Sequence, residues 1–134
     1  MTTISKPWLG IEPVGRARAT TGAVWTLQIL CAAMFAFAGF HKLTGGADMV
    51  QAFATIGLGQ WFRYLTGAIE IVSAVLLLIP ALAVVGAAAL AVTMVGAVIT
   101  HAAILGGSAV PALVLLLATS AIVWLRREEL SRYA

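Results

Sequence analysis

Charge is what this sequence has least of. Of its 134 residues only 8 are Lys or Arg and 5 are Asp or Glu, so 10 % of the chain is charged against 62 % hydrophobic. A soluble domain carries roughly a quarter charged residues. So few charges cannot cover a water-facing surface, which excludes a soluble globular fold and leaves the bilayer as solvent. Cysteine is almost missing as well: Cys31 stands alone, deep in the first apolar block. One thiol excludes an intrachain disulfide and a dithiol relay. Low-complexity segments, heptad repeats and linkers are also lacking, so nothing divides a chain of one-domain length into two.

The charge that is present sits mostly at the ends. Lys6, Arg16 and Arg18 precede the first apolar block, and Arg126, Arg127 and Arg132 follow the last, within a net charge of +3. This is the distribution of cytoplasmic flanks rather than of a nucleic-acid face. Between the flanks lie four apolar blocks, residues 22–40, 62–79, 82–102 and 110–125. Each is near the ~20 residues that cross a hydrocarbon core. Pro80-Ala81 predicts a tight turn after the second block, and Gly106-Gly107-Ser108 with Pro111 predicts another after the third. The expected fold is an all-α membrane protein, a four-transmembrane-helix bundle in N-in/C-in orientation. Its parts are a basic cytoplasmic tail (1–21), the membrane domain (22–125) and a second cytoplasmic tail (126–134). Ala36-Phe37-Ala38 resembles a signal-peptide cleavage site, but the uncharged run around it exceeds the 7–15 residues of a signal-peptide core, so it is read as part of a span.

The one long connection, 45–59, has its own pattern. Asp48 follows Gly45-Gly46 at a helix start, and Met49, Val50, Phe53 and Ile56 fall on one face. This predicts a short amphipathic helix in the outer interface, next to an aromatic belt of Trp61, Phe62 and Tyr64.

Five ionisable residues break the apolar blocks or close them. Glu70 shares its helical face with Thr66, Gly67, Ser73 and Ala74, and Arg63 lies seven residues back on that face. Lys42 shares a face with Phe35, Ala38, Gly39, Cys31 and Gln28, with His41 beside it. His101 ends a face with Thr93 and Ala97, and Ala89, Thr93 and Ala97 form a small-xxx-small ladder suited to close helix packing. In the predicted topology His41, Lys42, Arg63 and His101 reach the outer edge, and Glu70 lies about 10 Å below Arg63. The inner half is expected to hold no comparable cluster. A carboxylate near mid-bilayer costs roughly 2.5–3.5 kcal/mol. Glu70 is therefore expected to be protonated, or paired with Lys42, Arg63 or His101. Snorkelling of Lys42 and Arg63 to head groups and a purely structural ion pair are the plain alternatives.

The segment Phe37-Ala38-Gly39-Phe40-His41-Lys42-Leu43 closes an apolar helix on a Lys-Leu pair. With Gly67-x-x-Glu70, the apolar run to Pro80 and a histidine late in the third block, it resembles the DoxX-like family of four-helix bacterial membrane proteins, over residues 24–127. The resemblance implies a bacterial inner-membrane protein linked to redox enzymes of the cell envelope. One implied function is an accessory subunit of a quinone-linked system. Glu70 and His101 would exchange protons, His41, Lys42 and Arg63 would hold the ligand, and quinone would be the cofactor. The alternative is a non-catalytic assembly or scaffold protein whose polar cluster is structural. The expected partners are the lipid bilayer and a further membrane or envelope protein, or a second copy of the chain, with no nucleic acid. No metal is expected, because Lys42 and Arg63 would repel a cation. A bis-histidine haem on His41 and His101 is set aside because both lie at the interface.

Overall fold

The structure, a computed structural model, describes residues 14–133 and the side chains of 21–128. Among the described residues there are five α-helices: α1 (Val14–Thr44), α2 (Ala47–Ile56), α3 (Gln60–Leu77), α4 (Ala83–Thr100) and α5 (Val110–Tyr133). A 3-10 turn, Pro80–Leu82, joins α3 to α4, and a π turn, His101–Leu105, extends α4. The first and last helices run past the apolar blocks that predicted them, back to Val14 and on to Tyr133. Apolar composition stops where hydrocarbon stops. Backbone hydrogen bonding does not, and arginine is a good helix former.

The α1 helix packs along α3, α3 along α4, and α4 along α5, while α1 meets α5 along a shorter seam. Side-chain bonds fix the direction of the first pair. Gln28 of α1 reaches Leu77 of α3, and Lys42 of α1 reaches Glu70 of α3, so the two helices are antiparallel. Gln28 also meets Arg126 of α5. The start of α1 and the finish of α5 therefore share one end of the bundle, the tail end. The opposite, loop end holds α2 and the π turn.

Among the described residues three stretches are long and apolar enough to cross a membrane: Thr21–Thr44, Pro80–Leu105 and Val110–Glu128. The 18-residue α3 is less apolar because it contains Gln60, Arg63 and Glu70. The bundle turns those charges inward: Arg63 is 5 % exposed and Glu70 1 %. Its outer surface is hydrocarbon, with Phe37, Val92 and Leu117 all at least 70 % exposed. This is the reverse of a soluble protein, and it fits a lipid solvent.

The core is built from Phe35, Leu77, Leu90 and Ile122, with Cys31, Ala87 and Met94 around them. Ala97 packs against this core, half-buried, on the ladder that the sequence predicted. Lipid tails are as apolar as leucine, so burial alone draws such helices together weakly, and close packing must do it. The α3–α4 contact uses Gly86. A Cβ there would lie 2.8 Å from the Ser73 carbonyl oxygen.

Candidate functional site

The site begins at a helix crossing. Gly39 lies three residues before Lys42 in α1, and Gly67 three residues before Glu70 in α3. A Cβ on Gly39 would stand 2.7 Å from the Gly67 carbonyl oxygen, and one on Gly67 3.1 Å from the Gly39 carbonyl oxygen. Only a hydrogen at both positions lets the backbones approach this closely. About one turn further along each helix, the crossing sets Lys42 against Glu70. The ammonium Nζ lies 2.9 Å from Oε1 and donates to Oε2 at 3.1 Å. One cation thus meets both carboxylate oxygens. Such charge-assisted bonds are roughly twice as strong as neutral ones, which offsets the desolvation of two buried charges. Glu70 keeps 1 % of its side-chain surface and Lys42 18 %, so the pair opens through its lysine.

Arg63 works one layer out. Its Nε donates to Gln60 Oε1 at 2.7 Å, its NH1 donates to the Lys42 carbonyl, and its guanidinium carbon sits 4.3 Å over the Tyr64 ring. The end of α1 explains the arrangement. Gly45 adopts φ 72°, its N–H bonds to the Lys42 carbonyl at 3.3 Å, and the Gly46 N–H reaches the His41 carbonyl at 3.5 Å. This double pattern closes the last turn and uses carbonyls that the helix leaves unpaired. Arg63 adds a cation where the helix dipole is negative. A Cβ on Gly45 would lie 3.3 Å from Arg63 NH1, so one glycine serves both the turn and the guanidinium. Gln60 carries the network on, donating from Nε2 to the Val50 carbonyl of α2 at 3.1 Å.

His41 fastens the same first turn of α2. Its Nε2 lies 2.9 and 3.0 Å from the two carboxylate oxygens of Asp48, and its ring stacks on Phe37 at 6.3 Å between centroids. The hydrogen bond from His41 holds the Asp48 carboxyl below its ordinary range, ahead of an opposing desolvation effect. Phe53 completes the attachment, buried edge-on against Phe62 at 5.9 Å.

His101 opens the π turn and bonds back to its own helix, Nδ1 to the Ala97 carbonyl at 2.9 Å. A carbonyl only accepts, so Nδ1 carries the proton and a neutral ring offers Nε2 as an acceptor. The π turn packs against α2 and α4. Of the five residues predicted at one site, the structure joins Lys42, Glu70 and Arg63 directly. It holds His41 alongside on Asp48 and leaves His101 on a separate turn.

A second polar node occupies the tail end. It corrects the expectation that this half holds no comparable cluster. Gln28, fully buried, donates from Nε2 to the Leu77 carbonyl at 2.6 Å and accepts from Arg126 Nε at 2.7 Å. The Arg126 guanidinium carbon lies 5.2 Å from the centre of the Trp25 ring. One amide therefore links α1, the last turn of α3, and α5. Sequence reasoning assigned Arg126 to a tail because the apolar run stops at Leu125. The available signal was Gln28 itself, an amide inside an apolar block that needs a buried partner. Among the described residues no group of three His, Cys, Asp or Glu is placed to hold a metal.

A family model described as the DoxX-like family matches residues 26–123, a stretch that includes Gln28, Lys42, Arg63, Glu70 and His101. No curated protein and no solved structure matches the chain.

Proposed function

The chain belongs to the DoxX-like family, and from that premise we propose that it is a four-span accessory subunit of a quinone-linked redox system in the bacterial cell envelope, with the Lys42–Glu70 pair as the polar element that meets the quinone head group. The α3 helix counts as the fourth span because its two charges lie inside the bundle. The flanking arginines favour a cytoplasmic side for both tails, which supports an inner-membrane, N-in/C-in reading.

The observation that carries this reading is the half-open pair. Glu70 is sealed, while Lys42 reaches the bundle edge. An ammonium has three N–H donors. Two point at Glu70, and the third suits one carbonyl oxygen of a quinone. A bound quinone would supply two-electron, two-proton carriage. In this chain Lys42 would orient the carbonyl, Glu70 would hold or release a proton behind it, and the apolar outer faces would accommodate a prenyl tail. Arg63 fixes the Lys42 backbone, His41 keeps α2 in place, and His101 Nε2 would serve as a proton acceptor at the loop end.

A second reading, a non-catalytic assembly or scaffold protein, is favoured by one specific feature. Both Glu70 oxygens are engaged by Lys42, and Arg63 NH1 is engaged by backbone, as in a closed latch. The test is purification in mild detergent with whatever partner accompanies the chain, followed by assay of partner-linked quinone reduction in the parent and in Glu70→Gln. Loss of turnover in a folded, partner-bound Glu70→Gln protein supports the redox subunit. Full turnover, or co-purification with a partner that has no redox activity, supports the scaffold.

A further inference from the structure

The two ends of the bundle treat arginine differently. At the loop end Arg63 is buried within the network. At the tail end two consecutive arginines each lie over a tryptophan. Arg126 is 5.2 Å from the centre of Trp25, and Arg127 is 3.8 Å from the centre of Trp124. Arg126 is buried and tied to Gln28, whereas Arg127 is exposed and Trp124 is 65 % exposed. Arg127 also donates from NH1 to the Trp124 carbonyl, which fixes its plane against the helix. Trp25 belongs to α1 and Trp124 to α5, the two helices that meet along the shorter seam. The bilayer-facing side chains of these helices are apolar, with Ile29, Leu30 and Leu117 among them.

This is a combination with a chemical meaning. A guanidinium placed over an indole, with one nitrogen on the backbone, keeps further N–H donors that match a phosphate. Indole favours the depth of lipid head groups. We infer that the outward tail-end face of α5 binds an anionic phospholipid, its phosphodiester on Arg127 beside Trp124 and an acyl chain along the exposed Leu117 and Trp124 face of that helix. Charge complementarity selects the anionic class. The two flanks of the apolar region carry six cations, Lys6, Arg16, Arg18, Arg126, Arg127 and Arg132, against three carboxylates, Glu12, Glu128 and Glu129, so the balance by sequence is positive. A choline or ethanolamine head would bring its own cation towards these cations. The inference is independent of any redox role.

The experiment is thermal melting of the purified protein in a non-ionic detergent, with short-chain phosphatidylglycerol, short-chain phosphatidylcholine or inorganic phosphate added. Native mass spectrometry of the same samples counts bound lipid. Phosphatidylglycerol should raise the melting point by several degrees and leave a retained lipid adduct, and the other two additives should do neither. Arg127→Gln should abolish both effects, and Arg127→Lys should keep part of them because a point charge remains. An equal response to phosphatidylcholine would overturn the inference in favour of unspecific lipid uptake. A response to inorganic phosphate alone would overturn it in favour of a soluble anion. An undiminished phosphatidylglycerol adduct in Arg127→Gln would overturn the assignment of the site. The adduct decides even if a variant melts lower in the absence of lipid.

Discussion

Gly39 and Gly67 face each other backbone to backbone, with room for neither side chain: a Cβ on Gly39 would lie 2.7 Å from the Gly67 carbonyl oxygen and equally near Ile71 Cγ1. Gly39→Ala should therefore force α1 and α3 apart and cost about 1–3 kcal/mol, as overpacking does. Gly96→Ala is the matched control, because nothing lies within 4 Å of a Cβ there. It should be neutral or gain up to about 1 kcal/mol from helix propensity. Reversible unfolding in mixed detergent measures both, and equal effects would show that the crossing is not tight.

The Lys42–Glu70 pair predicts a pattern across three variants. Glu70→Ala leaves the part-buried Lys42 ammonium without its carboxylate and should be destabilising, by less than the roughly 3–5 kcal/mol of a fully buried pair because Lys42 reaches the bundle edge. Glu70→Gln should cost less, since the amide oxygen still accepts from Lys42. Lys42→Met combined with Glu70→Gln should recover stability. Arg63 holds the Lys42 carbonyl rather than its side chain, so the methionine leaves that bond intact. A double variant no more stable than Glu70→Gln alone would mean that Glu70 depends on a partner other than Lys42.

The clasp between His41 and Asp48 should open in acid. The Asp48 carboxyl is held below its ordinary range, foremost by the hydrogen bond from His41. A depressed carboxylate contributes above its unfolded value, about 4, and loses that contribution as pH falls through the lowered value. Amide exchange in the first turn of α2, corrected for intrinsic rates, should stay slow down to about pH 4 and accelerate below it. Asp48→Asn should remove that acid step. An acid transition of the same size in Asp48→Asn would place it elsewhere.

Orientation can be read by cysteine labelling in a Cys31→Ser background. Ser108→Cys, in the turn between α4 and α5, should react with an impermeant maleimide on intact cells. Ser131→Cys should react only after permeabilisation. The opposite result would turn the Lys42–Glu70 end towards the cytoplasm.

What could be read from the sequence followed from composition and period. Apolar blocks give the long helices, and the spacing of Met49, Val50, Phe53 and Ile56 gives α2. Glu70 and Lys42 stand out because charge inside apolar runs must find a partner, and each lies on a small-residue face next to a glycine. Other features were hidden for physical reasons. The capping role of Arg63 depends on the backbone angle of Gly45, which composition does not encode. Gln28 and Arg126 are 98 residues apart, and their meeting depends on which helices close the bundle. The π turn that separates His101 from the pair depends on one extra residue in a turn, which shifts a side chain without altering the apolar pattern.

The polarity of α3 has a consequence for how the protein is made. With Gln60, Arg63 and Glu70 in 18 residues, α3 is a poor substrate for membrane insertion by itself. Its neighbour α1 covers the two charges that matter, placing an ammonium on Glu70 and a backbone carbonyl on Arg63. On the four-span reading we expect a glycosylation-tagged α3 to integrate poorly in isolation and efficiently behind α1, and equal integration would contradict this. Because α1 leaves the ribosome first, the order of helices along the chain becomes an assembly instruction, in which the first span prepares a polar berth that the second enters as it is synthesised.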